Sequence, residues 1–298
     1  MSTRINPNTV PDLLAALQTL QQNVQNDSQQ VSTGRRVNNL GDDPAAAAEL
    51  VFNNAQTSQD AQFQSNISDL QSKVQTADSV MSSASQLLTS AISLGTQGAT
   101  GTLTDANRQS IAAQVAGLQQ QMLSLANTSY QGTYIFSGTD VTTQPFTQDS
   151  SAPSGVTYNG NSAVTTVQIS QGQSLQTNLP GDQVFANSSG NVFAALNNLQ
   201  NALTSGTGIA AANTEVQNAF NQVNNQRVFY GNALNQLQST DNFLSQDTVN
   251  LSQQQNSLVG ADMTKAISSL SQDQVAQQAA LSATAQILNM PTLLSYLK

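Results

Sequence analysis

The sequence predicts a mainly α protein: a long antiparallel helical bundle or coiled coil formed by both chain ends, with a small β-rich inserted domain. Three observations carry this reading. Apolar residues recur at spacings of three and four along most of the chain, the seam pattern of packed helices. The longest register is Val216, Val223, Tyr230, Leu237, Leu244, Leu251 and Leu258, each seven residues after the last. From about 132 to 190 that period gives way to short β-branched and aromatic runs punctuated by Gly and Pro, and it returns at Val192.

Each element follows in order. The first seam reads Val10, Leu13, Leu17, Leu20 and Val24, then Val31, and stops at Gly34-Arg35-Arg36. A polar link leads to Asp43, whose carboxylate suits an N-cap, and to Pro44, whose missing N–H costs nothing at the first helical position. Four alanines follow, so a second, long helix begins there with the seam Phe63, Ile67, Leu70, Val74, Ala77, Met81, Ala84, Leu88 and Ala91. Gly95, Gly98 and Gly101 are expected to end it. Thr104 caps a third helix carrying Ile111, Val115, Leu118, Met122 and Leu125, antiparallel to the second.

In the middle region, Tyr134-Ile135-Phe136 is a short run ended by Gly138. Val156-Thr157-Tyr158 leads into Asn159-Gly160, a dipeptide suited to a type I′ hairpin turn, and 164–169 alternate as a strand would. Val192, Phe193, Leu196, Leu199 and Leu203 restore the helical period before a Ser-Gly-Thr-Gly loop at 205–208. Gly260 breaks the long register, Asp262 caps, and a last helix carries Ile267, Leu270, Leu281 and Leu288. The expected organisation is nested. A terminal coiled-coil domain (1–43 with 260–298) brackets a helical body (44–131 with 191–259), which brackets a β-rich insert (132–190).

Composition narrows the function. The 298 residues hold 8 Lys and Arg against 17 Asp and Glu, a net charge of −9. Charged residues are 8% of the chain, against roughly 25% in soluble proteins at large. Polarity comes from amides instead, 42 Gln and 30 Asn. With no His and no Cys there is no Ser-His-Asp or Cys-His system, no thiol chemistry and no zinc site of the usual ligands. An enzyme is not expected, nor a cofactor or a metal. Asp42-Asp43 invites a metal reading, yet Asp-Asp-Pro before an alanine run is a helix start. The few cations, scattered apart from Arg35-Arg36, form no phosphate-neutralising surface, so no nucleic-acid partner is expected. No apolar run nears the roughly 18 to 20 residues that span a bilayer, so no membrane partner is expected. The first twenty residues lack the basic and apolar regions of a cleaved signal peptide.

The terminal segments carry few large apolar side chains for their length. Isolated helices are marginal in water, and a single pair buries only its facing stripes. Either further copies complete these surfaces, or the ends are solvated, frayed tails around a folded body.

Several separated motifs resemble one family. Ser32-Thr33-Gly34-Arg35-Arg36-Val37-Asn38-Asn39-Leu40-Gly41-Asp42-Asp43-Pro44-Ala45-Ala46 is similar to the link between terminal helix and body in flagellins and hook-associated proteins, with Leu40-Gly41 where members often carry Pro-Ser. Residues 101–139 resemble the second body helix and its exit. Tyr134-Ile135-Phe136-Ser137-Gly138 and Thr143-Gln144-Pro145-Phe146 look more like the junction members than like filament flagellin. Ala261-Asp262-Met263, then Ala285 to Pro291 and on to Leu297, resemble the C-terminal helix. Residues 147–181 resemble nothing known.

The resemblance implies a structural, non-enzymatic subunit of the bacterial flagellum at the hook–filament junction, with flagellin, the bulk filament subunit, as the alternative. It implies export from the cytoplasm through the flagellar type III apparatus without a cleaved signal, and a chaperone covering the C-terminal helix beforehand. The implied partners outside the cell are further copies in a ring or tube, hook-associated protein 1, flagellin, and the filament cap protein during assembly. On this chain it implies that Val10, Leu13, Leu17, Leu20 and Val24 pack with Ile267, Leu270, Leu281 and Leu288, within and between subunits, joined by Leu294 and Leu297. Gly34, Arg35, Arg36, Asp42, Asp43 and Pro44 would form the link between domains, the two arginines either meeting acids of a neighbour or lying in a solvated turn.

Overall fold

The long seams fold as long helices. The computed structural model describes residues 9–39, 41–188 and 190–288. In chain order it contains α1 (Thr9–Thr33), α2 (Pro44–Gly98) and α3 (Asp105–Ala126), then six short strands, β1 (Ser129–Tyr130), β2 (Thr133–Tyr134), β3 (Phe146–Gln148), β4 (Val156–Tyr158), β5 (Thr166–Ser170) and β6 (Gln173–Gln176). Helices α4 (Gly181–Val184), α5 (Val192–Ser205), α6 (Ile209–Val259) and α7 (Met263–Leu288) complete the described residues. By compactness the chain divides into Gln59–Gln246 and, as a second unit, Met1–Ser58 with Asp247–Lys298. Both divisions fall inside continuous helices, α2 and α6.

Within 59–246 the seams meet in one core. All nine apolar positions from Phe63 to Ala91 on α2 are buried, and Val216, Val223, Tyr230, Leu237 and Leu244 of α6 join them. The two helices run antiparallel, as their cross-links show. Gln64 Nε2 donates to Ser245 Oγ at 3.1 Å, and Ser85 Oγ to Asn224 Oδ1 at 3.1 Å. Farther along, Asn213 Nδ2 donates to Thr96 Oγ1 at 3.2 Å. Between these, the Arg227 guanidinium grips both oxygens of Asp78, at 2.7 and 3.1 Å, the fork geometry that makes arginine–carboxylate pairs directional. From α3, Ile111, Val115 and Met122 are buried, with Leu118 and Leu125 packed against the same core.

Two expectations are corrected here. Helix α2 runs through Gly95 and ends at Gly98. A Cβ added at Gly95 would sit 2.4 Å from Asn213 Oδ1, and one at Gly98 would sit 2.1 Å from Leu203 Cδ2. Gly95 thus lies inside the helix and lets a neighbour approach closely, whereas Gly98, with Leu203 against it, is the expected glycine at which α2 stops. The Asn159-Gly160 turn is likewise absent: neither residue has positive φ, and the Asn159 amide donates instead to Pro145 O at 2.8 Å.

The middle region forms three separate two-stranded antiparallel sheets. β1 and β2 close on Gln131 and Gly132, with φ of 49° and 79°, the left-handed pair of a type I′ turn. β3 pairs β4, Phe146 opposite Tyr158, across the longer loop 149–155. β5 pairs β6 around Gly172, at φ 76°. Their roots converge on an aromatic cluster: Phe146 lies 5.0 Å from Tyr158, 5.1 Å from Phe193 and 5.9 Å from Phe185, centroid to centroid, and Phe185 lies 5.1 Å from Phe136. Asn127, at the end of α3, pins β3 in both directions, donating to Phe146 O at 2.8 Å and accepting from Phe146 N at 2.9 Å. The Tyr158 hydroxyl donates to Phe136 O at 3.0 Å, and burial is the main reason its pKa is pushed up to about 12. Phe136 is therefore core, and Tyr134 is half-buried on β2.

Candidate assembly surface

The unit made of 1–58 and 247–298 holds α1, α7, the start of α2 and the end of α6. Its centre is the α1–α7 pair, joined antiparallel at one end by a short backbone ladder. Ala261 N donates to Gly34 O at 3.0 Å, Arg36 N donates to Val259 O at 2.7 Å, and Arg35 bridges Gly260. The α1 helix turns Leu13, Leu17, Leu20, Val24, Asp27 and Val31 inward, and each stays half-buried. On α7 the inward stripe is Ala266, Leu270, Asp273, Gln277, Ala280 and Thr284, of which Ala266 is fully buried.

Five of these α1 positions, all but Asp27, were on the first seam read from the sequence, and they and Leu270 are half-buried. Ile267 and Leu281, expected to pack within and between subunits, lie outside the buried stripe of this single copy. They are 53% and 50% exposed, and Val275 beside them is 66% exposed. Ile267 lies about 100° around the helix from Ala266, and Leu281 lies at the edge of the stripe, on the Leu270 side of Ala280. The small Ala266 and Ala280 face α1 in their place, a signal that a search for large apolar residues passes over. The result is a helix with apolar side chains on its seam and, uncovered, around the rest of its surface. The side chains of Val10 and Leu288, and all of Leu294 and Leu297, lie outside the described residues.

The link is a built joint. The Arg36 guanidinium donates to Asp43 Oδ2 at 3.0 Å and to Leu258 O at 2.8 Å, tying the start of α2 to the last turn of α6. Asp43 Oδ1 accepts from Ala46 N at 3.1 Å, an N-cap, with Pro44 as the first helical residue. Asp42 Oδ2 accepts from the backbone amides of Asn38 and Asn39 at 2.9 and 2.8 Å. Those backbone bonds first, and for Asp43 the Arg36 contact second, hold both carboxyls below the usual aspartate value. Asp42-Asp43 is thus a turn and a cap. Gly34 takes φ 69° where α1 ends, and Val37, Ala46 and Val259 form a small apolar core beneath. The two arginines differ: Arg36 is spent inside the joint, while Arg35 contributes its backbone and leaves its side chain exposed. Asp262 caps α7, accepting from Thr264 N and Lys265 N at 3.0 and 3.1 Å.

Among the described residues no group of three or more His, Cys, Asp or Glu could hold a metal ion. No helix among them is long and apolar enough to cross a membrane.

The bacterial flagellin N-terminal helical region matches residues 8–141, and the bacterial flagellin C-terminal helical region matches 214–297. Most of the strand-bearing region lies between the two. Flagellar hook-associated protein 3 of Escherichia coli is 30% identical over 281 residues, which is 86% of this chain and 87% of that protein. Its counterpart in Salmonella typhimurium is 28% identical, with 86% of each chain covered. Among solved structures, the flagellar junction protein FlgL from Legionella pneumophila has the same fold, with a TM-score of 0.62 at 16% identity over 71% of this chain and all of that one.

Proposed function

The chain belongs to the flagellin family, within it to the flagellar hook-associated protein 3 group, and from that premise we propose that it is the structural subunit that joins hook to filament. It is a component of the bacterial flagellum and polymerises through its terminal helices into a ring or tube. Hook-associated protein 1 meets it on the hook side, and the flagellin filament, or the cap protein during assembly, meets it on the other. It leaves the cell through the flagellar type III apparatus without a cleaved signal, with a chaperone holding the C-terminal helix until then. Its work is mechanical, and no catalytic step is asked of it.

The observation that supports polymerisation is the state of α7. One stripe is half-buried against α1 while Ile267, Val275 and Leu281 stand exposed around the rest of the helix. Exposed apolar side chains at helical spacing suit packing against further helices, and a low charge density leaves few ions to desolvate when copies meet. Within this reading Leu13, Leu17, Leu20, Val24 and Leu270 hold the pair together. Ile267 and Leu281, with Val10, Leu288, Leu294 and Leu297, meet other copies. The joint of Gly34, Arg36, Asp42, Asp43 and Pro44 carries the pair on the body.

Immunolabelling of whole cells tests the assignment. A single band near the filament base is expected; label along the whole filament would overturn it in favour of flagellin. Deleting the gene should release unpolymerised flagellin into the medium while hooks remain.

A further inference from the structure

Seams between paired helices are ordinarily apolar or carry opposite charges; the α1–α7 seam carries two like ones. Asp27 follows Leu20 and Val24 on the inward stripe of α1, and Asp273 lies between Leu270 and Ala280 on the inward stripe of α7. Both are half-buried, and the negative charge of Asp273 acts on Asp27 across the seam. Among the described residues of these two helices the other charged groups are Asp12 and Lys265. Both are exposed, and neither is on an inward stripe. At the joint end, Arg36 and Asp42 border a small polar cleft with Asn26, Gln29 and Gln30. That guanidinium is already held by Asp43 and the Leu258 carbonyl, and Asp42 by the amides of Asn38 and Asn39.

We propose that Asp27, facing Asp273 across the seam, is an acid-operated clasp: with the Asp27 carboxylate ionised the α1–α7 pair is held short of its full stability, and protonating it closes the pair. Burial first, and the Asp273 charge second, push the Asp27 carboxyl above the usual 3.8. A group that holds its proton more tightly in the paired state favours pairing as pH falls and withdraws that support as pH rises through its paired-state value. At neutral pH the clasp is open, so a free copy lacks part of the stability that would order its ends. This inference rests on the seam alone and stands whether or not the chain sits at the junction.

Hydrogen exchange on the full chain in dilute solution tests it, with protection factors corrected for the intrinsic pH dependence of exchange. Amides of α1 and α7 should be roughly threefold to tenfold better protected at about pH 4.5 than at about pH 7. Asp27→Asn should raise protection at neutral pH and remove the pH response, Asp273→Asn should raise protection and shrink the response to the part due to burial, and Asp12→Asn should leave it intact. Asp273→Lys should move the strongest pairing to neutral pH. Equal protection of the wild type at both pH values, or a response that survives in Asp27→Asn, would overturn the clasp.

Discussion

Residues 59–246 and the terminal unit use the same seam pattern to opposite ends. In the first, Val74, Met81, Leu88, Val216, Tyr230 and Leu237 are shut off completely from solvent. Several helices and an aromatic cluster share that interior. In the second, Leu13, Leu17, Leu20 and Val24 reach only half burial, because α1 has a single long partner in α7. One pattern read from sequence thus gives a closed core where many elements converge and an unfinished surface where two do. The number of neighbours, not the periodicity, sets the stability.

The contrast can be broken most forcefully in the core. Phe146 touches three other rings, so Phe146→Ala should lower the stability of 59–246 by about 3–5 kcal/mol, read from denaturant midpoints. Removing the clamp beside it is the next largest change. Asn127→Ala removes the acceptor of the Phe146 amide and one of two donors to its carbonyl, the other being Gln144 Nε2 at 3.1 Å, and should cost about 1–3 kcal/mol in the same measurement. Leu17→Asp should do the reverse. Incorporation into assemblies should fail, as judged by sedimentation, while the melt of 59–246 moves by less than about 0.5 kcal/mol; equal damage to both would erase the distinction between the units.

The smallest effect sharpens the comparison inside the terminal unit. Asp42 and Asp43 have depressed pKa values, so the joint keeps their contribution above the ordinary 3.8 and loses it as pH falls through the lower folded-state values. Amides of Asn38, Asn39 and Ala46 should lose exchange protection only as pH falls below 3.8, on the acid side of the range in which the α1–α7 seam gains it.

What the sequence disclosed was mostly local. Asp43, Thr104 and Asp262 announce helix starts because a cap needs only the next three residues, and each accepts the expected amides. The α2 seam was legible to the last residue for a similar reason, since a helix buried along one stripe writes its period directly. The joint was found as a motif, but the bond from Arg36 to Leu258 O spans 222 residues and leaves no local trace. Hairpin partners were hidden for the same reason. The chain turned at 149–155, where Asp149 accepts from Ser151 N and Thr157 Oγ1 at 2.9 Å each, and not at the more persuasive Asn159-Gly160. A repeat in sequence fixes spacing along a helix but not which apolar residues face the partner in the same copy, so the exposure of Ile267 and Leu281 had no local signal. The division inside α2 and α6 is invisible in sequence because the helical period crosses it unchanged.

The three hairpins each stand on their own, with no strand shared between sheets, and they are fastened at the base by rings and side-chain amides. Their registers are therefore independent, so a change of length in one hairpin need not shift the pairing of another, while the β3–β4 tip is tied to the helices, Ser154 O accepting from Gln119 Nε2 at 3.2 Å and Pro153 O from Asn197 Nδ2 at 2.8 Å. The matched regions stop at 141 and resume at 214, so four of the six strands, β3 to β6, lie outside both of them.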